Sequence, residues 1–434
     1  MENPKIFQIA LAGIFIVLLV VGFLGFSGKI PLPVGKKDIK YGQVVLWGSI
    51  PFDMMQKLIT ERIGTQGAVT IKYVEKKSAT FDKDFIEALV SGNGPDLVLL
   101  PQDSIVKNLN KLSVVPYTSF SERDFKDTYL QEGEIFLLPE GIIGLPFLFD
   151  PIVMYWNRDL FTNAGIVTPP STWKQFYDLA PRVTVRDQSG NISRSLVSLG
   201  TYQNINHAKE ILSLLIMQAG NPIVLNQGGA PVVTLVPPNQ SSVENPTASA
   251  VRFFTEFSKQ DKDSYSWNSS LPPSRTMFEL GDLALYFGYA SEYASIREKN
   301  PHLNFDVTII PQIENAPARI TFGQMQGIAI VRATKNPQGA MMGAFALSDQ
   351  SVIDEVATLT GLPPVRRDLV SLRPSDPIRS VFYDSAIISR GWYDPSPSDT
   401  NILFSNMIND INSGKLNITQ ALSNAQNSFA QLAQ

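Results

Sequence analysis

The sequence predicts an α/β protein whose soluble part begins with a doubly wound lobe. Three short apolar runs, 43–47, 69–74 and 96–100, alternate with two segments of helical spacing, 52–63 and 81–90. The third run, DLVLL, is apolar without alternation, which is typical of a strand buried on both faces. The chain has 434 residues, too many for one compact domain, so two or three folding units are expected.

The strand ends of this lobe predict where a small ligand binds. In doubly wound sheets, ligands lie beyond the carboxyl ends of the strands. This rule selects Ser49, after the first strand, and the loop 101–104 with Asp103, after the third. Trp47 closes the first strand, and its ring could either pack in the core or contact a ligand.

The first residues predict a membrane anchor. Residues 6–26 have one strongly polar member and would form a helix of roughly 30 Å, enough to cross a bilayer. Because no A-x-A-like exit follows, an uncleaved anchor is favoured over a cleaved signal, with residues 1–5 as a short tail and 27–40 as a tether. The lysines of 27–40 favour a cytoplasmic domain, but long domains translocate largely regardless of flanking charge, so orientation stays open here.

Composition excludes several classes of function. The net charge is -4 and no basic run exceeds two residues, which argues against nucleic-acid binding. Cysteine is absent, so thiol catalysis, disulfides and iron–sulfur clusters are excluded. The two histidines, His207 and His302, are too few for a histidine-based metal site, and no cofactor is expected.

Motifs that indicate catalysis are nearly absent. The chain lacks the phosphate-binding G-x-x-x-x-G-K-[ST], the nucleophile elbow G-x-S-x-G and the zinc motif H-E-x-x-H. The carboxylates Asp103, Asp150 and Glu292 could form a glycosidase pair, or they could be solvated or helix-capping acids. Their spacing in sequence does not decide between these alternatives.

Five blocks carry a family resemblance. The central one, 144–176, contains a strand-forming run through Asp150, a predicted Tyr155–Asn157 turn, a helix and a Pro-Pro turn. The other blocks are 88–100, 277–293, 360–368 and the closing segment from Gly391 to Leu422. In this order they resemble bacterial extracellular solute-binding proteins of the maltose-binding-protein-like, sugar-binding type, which serve ABC importers.

The resemblance implies a two-lobed fold of the periplasmic-binding-protein-like type II. Two doubly wound α/β lobes, joined by a multi-crossing hinge and preceded by the transmembrane helix, would close on one ligand. Lobe one comprises 41–149 and 311–348, and lobe two comprises 150–310 and 349–434. The family also implies that the large domain is extracytoplasmic. A monomer that captures a sugar and delivers it unaltered to an ABC permease is expected, with a glycoside hydrolase or a ligand-presenting surface receptor as alternatives.

The resemblance also implies ligand contacts at particular positions. It adds eight polar or aromatic residues to Ser49, which the strand-end rule selected. They lie in lobe one, at the hinge and in lobe two: Asp103, Asp150, Asn206, His207, Tyr289, Glu292, Gln324 and Gln326. Three tryptophans are candidate platforms for sugar C–H faces: Trp47, Trp267 and Trp392. The last two lie in polar, proline-bordered loops, which predicts that they are exposed to the cleft. His207 could instead be a structural histidine.

Overall fold

A computed structural model describes most of the chain outside its N-terminal segment. The described residues are 40–64, 68–227, 230–236 and 245–432. The predicted anchor at 6–26 therefore lies outside the described residues, as does nearly all of the tether. Within the described ranges, no helix is long and apolar enough to cross a membrane.

The described residues form a mixed α/β structure. The strands, in chain order, are β1 Gln43–Gly48, β2 Thr70–Glu75, β3 Leu97–Pro101, β4 Leu112–Ser113, β5 Leu137–Leu138, β6 Gly141–Ile142, β7 Leu145–Asn157, β8 Val185–Arg186, β9 Ile192–Val197, β10 Val224–Gln227, β11 Ala230–Val233, β12 Leu283–Tyr289, β13 Phe305–Thr308, β14 Thr321–Val331 and β15 Ser389–Arg390. The α-helices are α1 Phe52–Leu58, α2 Phe81–Val90, α3 Ile105–Asn108, α4 Glu122–Thr128, α5 Arg158–Asn163, α6 Gln175–Val183, α7 Ala208–Gln218, α8 Pro246–Glu256, α9 Ser274–Glu279, α10 Glu292–Lys299, α11 Pro337–Leu347, α12 Gln350–Thr360, α13 Arg367–Val370, α14 Pro377–Ile387, α15 Pro397–Asn412 and α16 Ile418–Leu432.

Eleven of the strands form one sheet. Its main order is β2-β1-β3-β14-β7-β12-β9-β8, with β13 beside β7 and with β4 and β15 beside β14. Strands β1, β2 and β3 are parallel and are separated in sequence by helices, which confirms the doubly wound arrangement predicted for the start of the soluble part. The two central strands, β7 and β14, are antiparallel to each other.

Buried side chains form two clusters, and β7 and β14 run through both. The first cluster lies on β1–β3 and includes Phe149 of β7 and Met325 of β14. The second lies on β9 and β12 and includes Ile152 of β7 and Phe322 of β14. Each central strand therefore passes from one cluster to the other within a few residues. We call this segment, Asp150–Pro151 with Gly323–Gln324, the crossover.

Close packing at the crossover requires glycine. Gly323 pairs with Pro151, and a Cβ atom at Gly323 would lie 2.3 Å from Cζ of Phe149 and 2.9 Å from Oγ of Ser389. No real Cβ tolerates such distances, so the two central strands approach each other only with glycine at this position.

Two features of the fold differ from the expectations. The predicted turn at Tyr155–Asn157 is wrong, because β7 continues to Asn157 and pairs there with β12 and β13. Hydrogen bonding to two neighbouring strands favours the extended backbone over a turn. Residues 349–434 were expected to belong entirely to lobe two. Val352 and Ile353 of α12, however, pack in the first cluster, so a division of the chain by cluster places this helix with β1–β3.

Candidate functional site

Three polar side chains share one face of the β7–β14 pair at and beside the crossover. Along β7 and β14 the buried Phe149 and Met325 alternate with the half-buried Asp150, Gln324 and Gln326. Asp150 lies directly opposite Gln324 in the strand register. Because side chains of a strand alternate between faces, these three polar groups share one face. The three residues that were predicted as ligand contacts at this point are therefore neighbours, and their contact with a ligand stays a prediction.

His207 directly precedes α7, whose apolar residues belong to the second cluster. It has a left-handed backbone, with φ at 59°, which is uncommon for a residue other than glycine. Its Nε2 atom is 2.7 Å from Oε1 of Glu292, and its ring meets that of Tyr289 edge-on, with centroids 4.8 Å apart. Burial alone would lower the pKa of His207, but the hydrogen bond and charge of Glu292 outweigh burial and raise that pKa.

Glu292 is buried and surrounded by donors. Its carboxylate accepts hydrogen bonds from the hydroxyl of Tyr286 at 2.8 Å and from the N–H of Tyr289 at 2.9 Å, besides the contact to His207. Nη1 of Arg275 is 3.1 Å from Oε2. Burial alone would raise the pKa of Glu292, but these partners, His207 first, lower it. Glu292 is therefore an ionised carboxylate at the centre of the network.

Two further carboxyl groups lie near this network. Asp150 accepts a hydrogen bond from the N–H of Ser291 at 3.1 Å, and burial raises the pKa of Asp150 to about 7. Burial also raises the pKa of Asp103 to about 6, opposed by the charge of Lys209. Asp103 follows β3, whereas Lys209 belongs to α7, so this charge interaction couples the loop after the third strand to the start of α7.

A cavity of about 530 Å³ adjoins His207. Its volume suits a small-molecule ligand. Its lining is mainly polar and comes from two segments, 202–210 and 401–406: Tyr202, Gln203, Ile205, His207, Ala208, Glu210, Asn401, Ile402, Ser405 and Asn406. The hydroxyl of Tyr202 donates to Oδ1 of Asn401 at 2.8 Å and joins the two segments.

Sequence reasoning missed most of the cavity. Glu210 follows His207 by three residues, so helical spacing alone could have added it to the predicted site. Nothing in the sequence indicated Asn401 or Asn406, which lie about 200 residues beyond Tyr202 and meet it only in the folded chain.

The predicted exposure of Trp267 and Trp392 is wrong. Trp267 is fully buried, and its indole N–H donates to Oδ1 of Asn204 at 3.2 Å. Trp392 is 5% exposed, donates to Oγ of Ser213 at 3.0 Å and packs against aromatic rings of α15 and α16. In both loops the polar neighbours form internal hydrogen bonds, so the indoles bury their area without losing a partner for N–H. Neither ring has the exposed face that a ligand platform needs.

Three other predicted residues lie in different surroundings. Trp47 is mostly buried in the first cluster, with Nζ of Lys76 3.9 Å from its ring centroid. Ser49 is half-buried at the carboxyl end of β1. Asn206 uses its Oδ1 to accept from Oγ of Ser274 and from the N–H of Arg275, so this side chain caps α9.

The described residues offer no metal site. Among them, no group of three or more histidine or carboxylate side chains is arranged to hold a metal ion. The chemistry that the site offers is hydrogen bonding through carboxylate, amide and imidazole groups next to the ring of Tyr289.

Comparison with known proteins gives a family and a fold. Residues 55–351, more than half of the chain, match the family of bacterial extracellular solute-binding proteins. Maltodextrin-binding protein MdxE of Bacillus subtilis is 22% identical over 287 residues, which cover 64% of this chain and 63% of that protein. The match therefore spans less than two thirds of this relative.

Solved structures share the fold. A cyclo/maltodextrin-binding protein complexed with maltotetraose has a TM-score of 0.72 at 15% identity, covering 93% of this chain and 99% of that one. The cyclic alpha-maltosyl-1,6-maltose binding protein of Arthrobacter globiformis has a TM-score of 0.73 at 13% identity, covering 90% and 98%. These relatives are binding proteins and not enzymes. The chain belongs to the bacterial extracellular solute-binding protein family.

Proposed function

We propose that this protein captures a carbohydrate outside the cytoplasm and delivers it unaltered to an ABC importer. The observation that carries the proposal is the polar face of the crossover, with Asp150 opposite Gln324, together with the polar cavity beside His207. Sugar hydroxyls donate to carboxylates and both donate to and accept from amides, and these groups predominate here. The names of related proteins, which include maltodextrin and maltotetraose binders, support the same ligand class.

The proposed mechanism is closure of two lobes about the crossover. Among the strands of the sheet, only β7 and β14 carry buried residues of both clusters, so rotation there would change the separation of the clusters. Helix α14, with Phe382 in the second cluster and Tyr383 in the first, would repack in this motion. Asp103, which follows β3, and Lys209, on α7, would approach or separate in this motion. A bound sugar that contacts both sides favours the closed form in proportion to its differential affinity.

The ring contact in this proposal comes from Tyr289. The three tryptophans are mostly buried, whereas Tyr289 is half-buried and lies against His207. Its ring offers a face to sugar C–H groups next to Asp150 and the cavity.

We also propose that residues 6–26 anchor the protein in the membrane with the described domain outside. Membrane-fraction retention of the full chain, and its loss on deletion of 6–26, tests the anchor.

A thermal melt against a sugar panel tests the binding proposal. Maltotriose, maltotetraose, mannobiose and tagatose are added at rising concentration, and a sugar that binds the folded state stabilises it by about 2.7 kcal/mol at 100 times Kd. Asp150→Asn is expected to reduce this stabilisation. Asp261→Asn, at a side chain 77% exposed and remote from the crossover in sequence, is the matched control and keeps it. Absence of any shift across a broad carbohydrate panel contradicts the proposal.

A further inference from the structure

Glu292 has no free lone pair for a ligand. Each oxygen of its carboxylate faces two donor groups: His207 and the Tyr289 N–H at Oε1, and the Tyr286 hydroxyl and Arg275 at Oε2. An ionised carboxylate offers about four lone-pair sites, so these partners fill it. Its side chain is also mostly buried. Glu292 therefore differs from Asp150, which has one described backbone donor and is more exposed.

His207 is held between this carboxylate and the cavity. Nε2 is engaged by Glu292, whereas no residue that the structure describes accepts a hydrogen bond from Nδ1. His207 lines the 530 Å³ cavity, and its side chain keeps 24% of its area exposed. Its left-handed backbone and its edge contact with Tyr289 fix the direction of the ring. When one imidazole nitrogen bonds to a carboxylate, that bond determines the orientation of the ring and the protonation of the other nitrogen.

We propose that Glu292 is a positioning residue, which holds His207 as an imidazolium that donates a hydrogen bond into the cavity, so that sugar affinity falls as rising pH removes this proton. The claim rests on the proposed function only in taking a sugar as the acceptor. It assigns the contact to His207 and removes Glu292 from the predicted ligand contacts. A hydrogen bond from a charged donor is stronger than one from a neutral donor. Loss of the proton from His207 should therefore weaken sugar binding by about 10-fold.

Other charged groups around His207 bear on this pH dependence. The titratable and charged groups of the packed elements are Glu292 on α10, Arg275 on α9, Tyr286 and Tyr289 on β12, Lys209 and Glu210 on α7, Asp150 on β7 and Asp103 after β3. Asp103 and Asp150 lose protons in the same direction of pH and become pure acceptors, which does not weaken their contacts to hydroxyl donors. A falling affinity is therefore the signature of His207.

A ligand-free NMR titration tests the charge state. The chain has only two histidines, so its imidazole spectrum contains two sets of signals, and His302→Gln assigns them. In the wild-type protein the midpoint of His207 is expected above its ordinary value of 6.5. Glu292→Gln is expected to lower this midpoint by about one pH unit or more, since it removes the paired charge. Tyr286→Phe, which removes one neutral donor and keeps the ion pair, is the matched control and changes it much less.

Maltotetraose binding, measured by calorimetry from pH 5.5 to 9, tests the contact. The wild-type affinity is expected to fall about 10-fold across the midpoint of His207, and His207→Gln removes this fall. His207→Asn, which tolerates the left-handed backbone, serves if the glutamine variant fails to fold. If Glu292 had a purely structural role, Glu292→Gln would lower sugar affinity equally at every pH and would leave the titration midpoint of His207 unchanged.

The outcomes separate this inference from the proposed function. A wild-type midpoint at or below 6.5, or one that Glu292→Gln leaves unchanged, overturns the inference whether or not any sugar binds. A pH profile that survives in the His207 variants overturns it as well. If no carbohydrate binds, the proposed function fails, while the ligand-free titration still decides whether Glu292 sets the charge of His207.

Discussion

Glu132 is a buried carboxylate that does not line the candidate ligand cavity, and we expect it to make the stability of the fold depend on pH. It is 5% exposed, and its Oε2 accepts the N–H of Gly391 at 2.6 Å. Its Oε1 has no hydrogen-bond partner among the described residues. Burial raises the pKa of Glu132 from its ordinary value of 4.5 to about 8, although the Gly391 N–H and the charge of Arg390 oppose this rise.

The sign and size of the effect follow from linkage. Because the folded state binds the proton more tightly, the unfolded chain releases it first, and stability falls as pH rises from about 4.5 to 8. The difference between the two pKa values corresponds to a loss on the order of 5 kcal/mol above pH 8. Glu132→Gln, which is neutral and keeps an acceptor for Gly391, avoids this loss.

Urea unfolding of the two proteins at pH 4 and pH 9 measures the effect. At pH 4 their free energies of unfolding are expected to be similar, and at pH 9 the variant is expected to be more stable by several kcal/mol. Glu134→Gln, in the same segment but with a side chain 36% exposed, is the control. Its difference in free energy of unfolding from the wild-type protein is not expected to increase between pH 4 and pH 9. A stability difference that is independent of pH would refute the reasoning.

Three further substitutions test the packing. Trp392→Ala should destabilise the fold by about 3–5 kcal/mol in urea unfolding, since it empties a buried site without touching the cavity. Lys209→Met should cost about 3–5 kcal/mol because it leaves Asp394 buried and unpaired, and adding Asp394→Asn should recover part of that stability. Gly323→Ala should lower Tm by several degrees, since its Cβ collides with Phe149.

Local patterns predicted the first part of the fold because short-range forces determine it. The strands at 43–47, 69–74 and 96–100 were expected from apolar runs and are β1, β2 and β3, each within one residue at its ends. The resemblance implied the acid at Asp150 and the amides at Gln324 and Gln326, which lie on one face of the β7–β14 pair.

The remaining errors arise where long-range contacts decide the environment. The loop around Trp267 is polar, but its polar groups bond internally: Nδ2 of Asn204 donates to the carbonyls of Asn268 and Leu271. The exposure predicted from the polarity of this loop was therefore wrong. Asn206 was expected to face a ligand, but the start of α9 needed its oxygen as a cap. No local pattern contains these partners.

The central claim is that the protein binds a sugar and releases it unaltered. It is tested most directly by isothermal titration calorimetry with the sugar that raises Tm most in the panel, followed by chemical analysis of the recovered sugar. We predict one sugar bound per chain, weaker binding in Asp150→Asn than in Asp261→Asn, and recovery of the sugar chemically unchanged. Cleavage of the sugar, or heat signals that are identical in the wild-type protein and a crossover variant, would contradict the account.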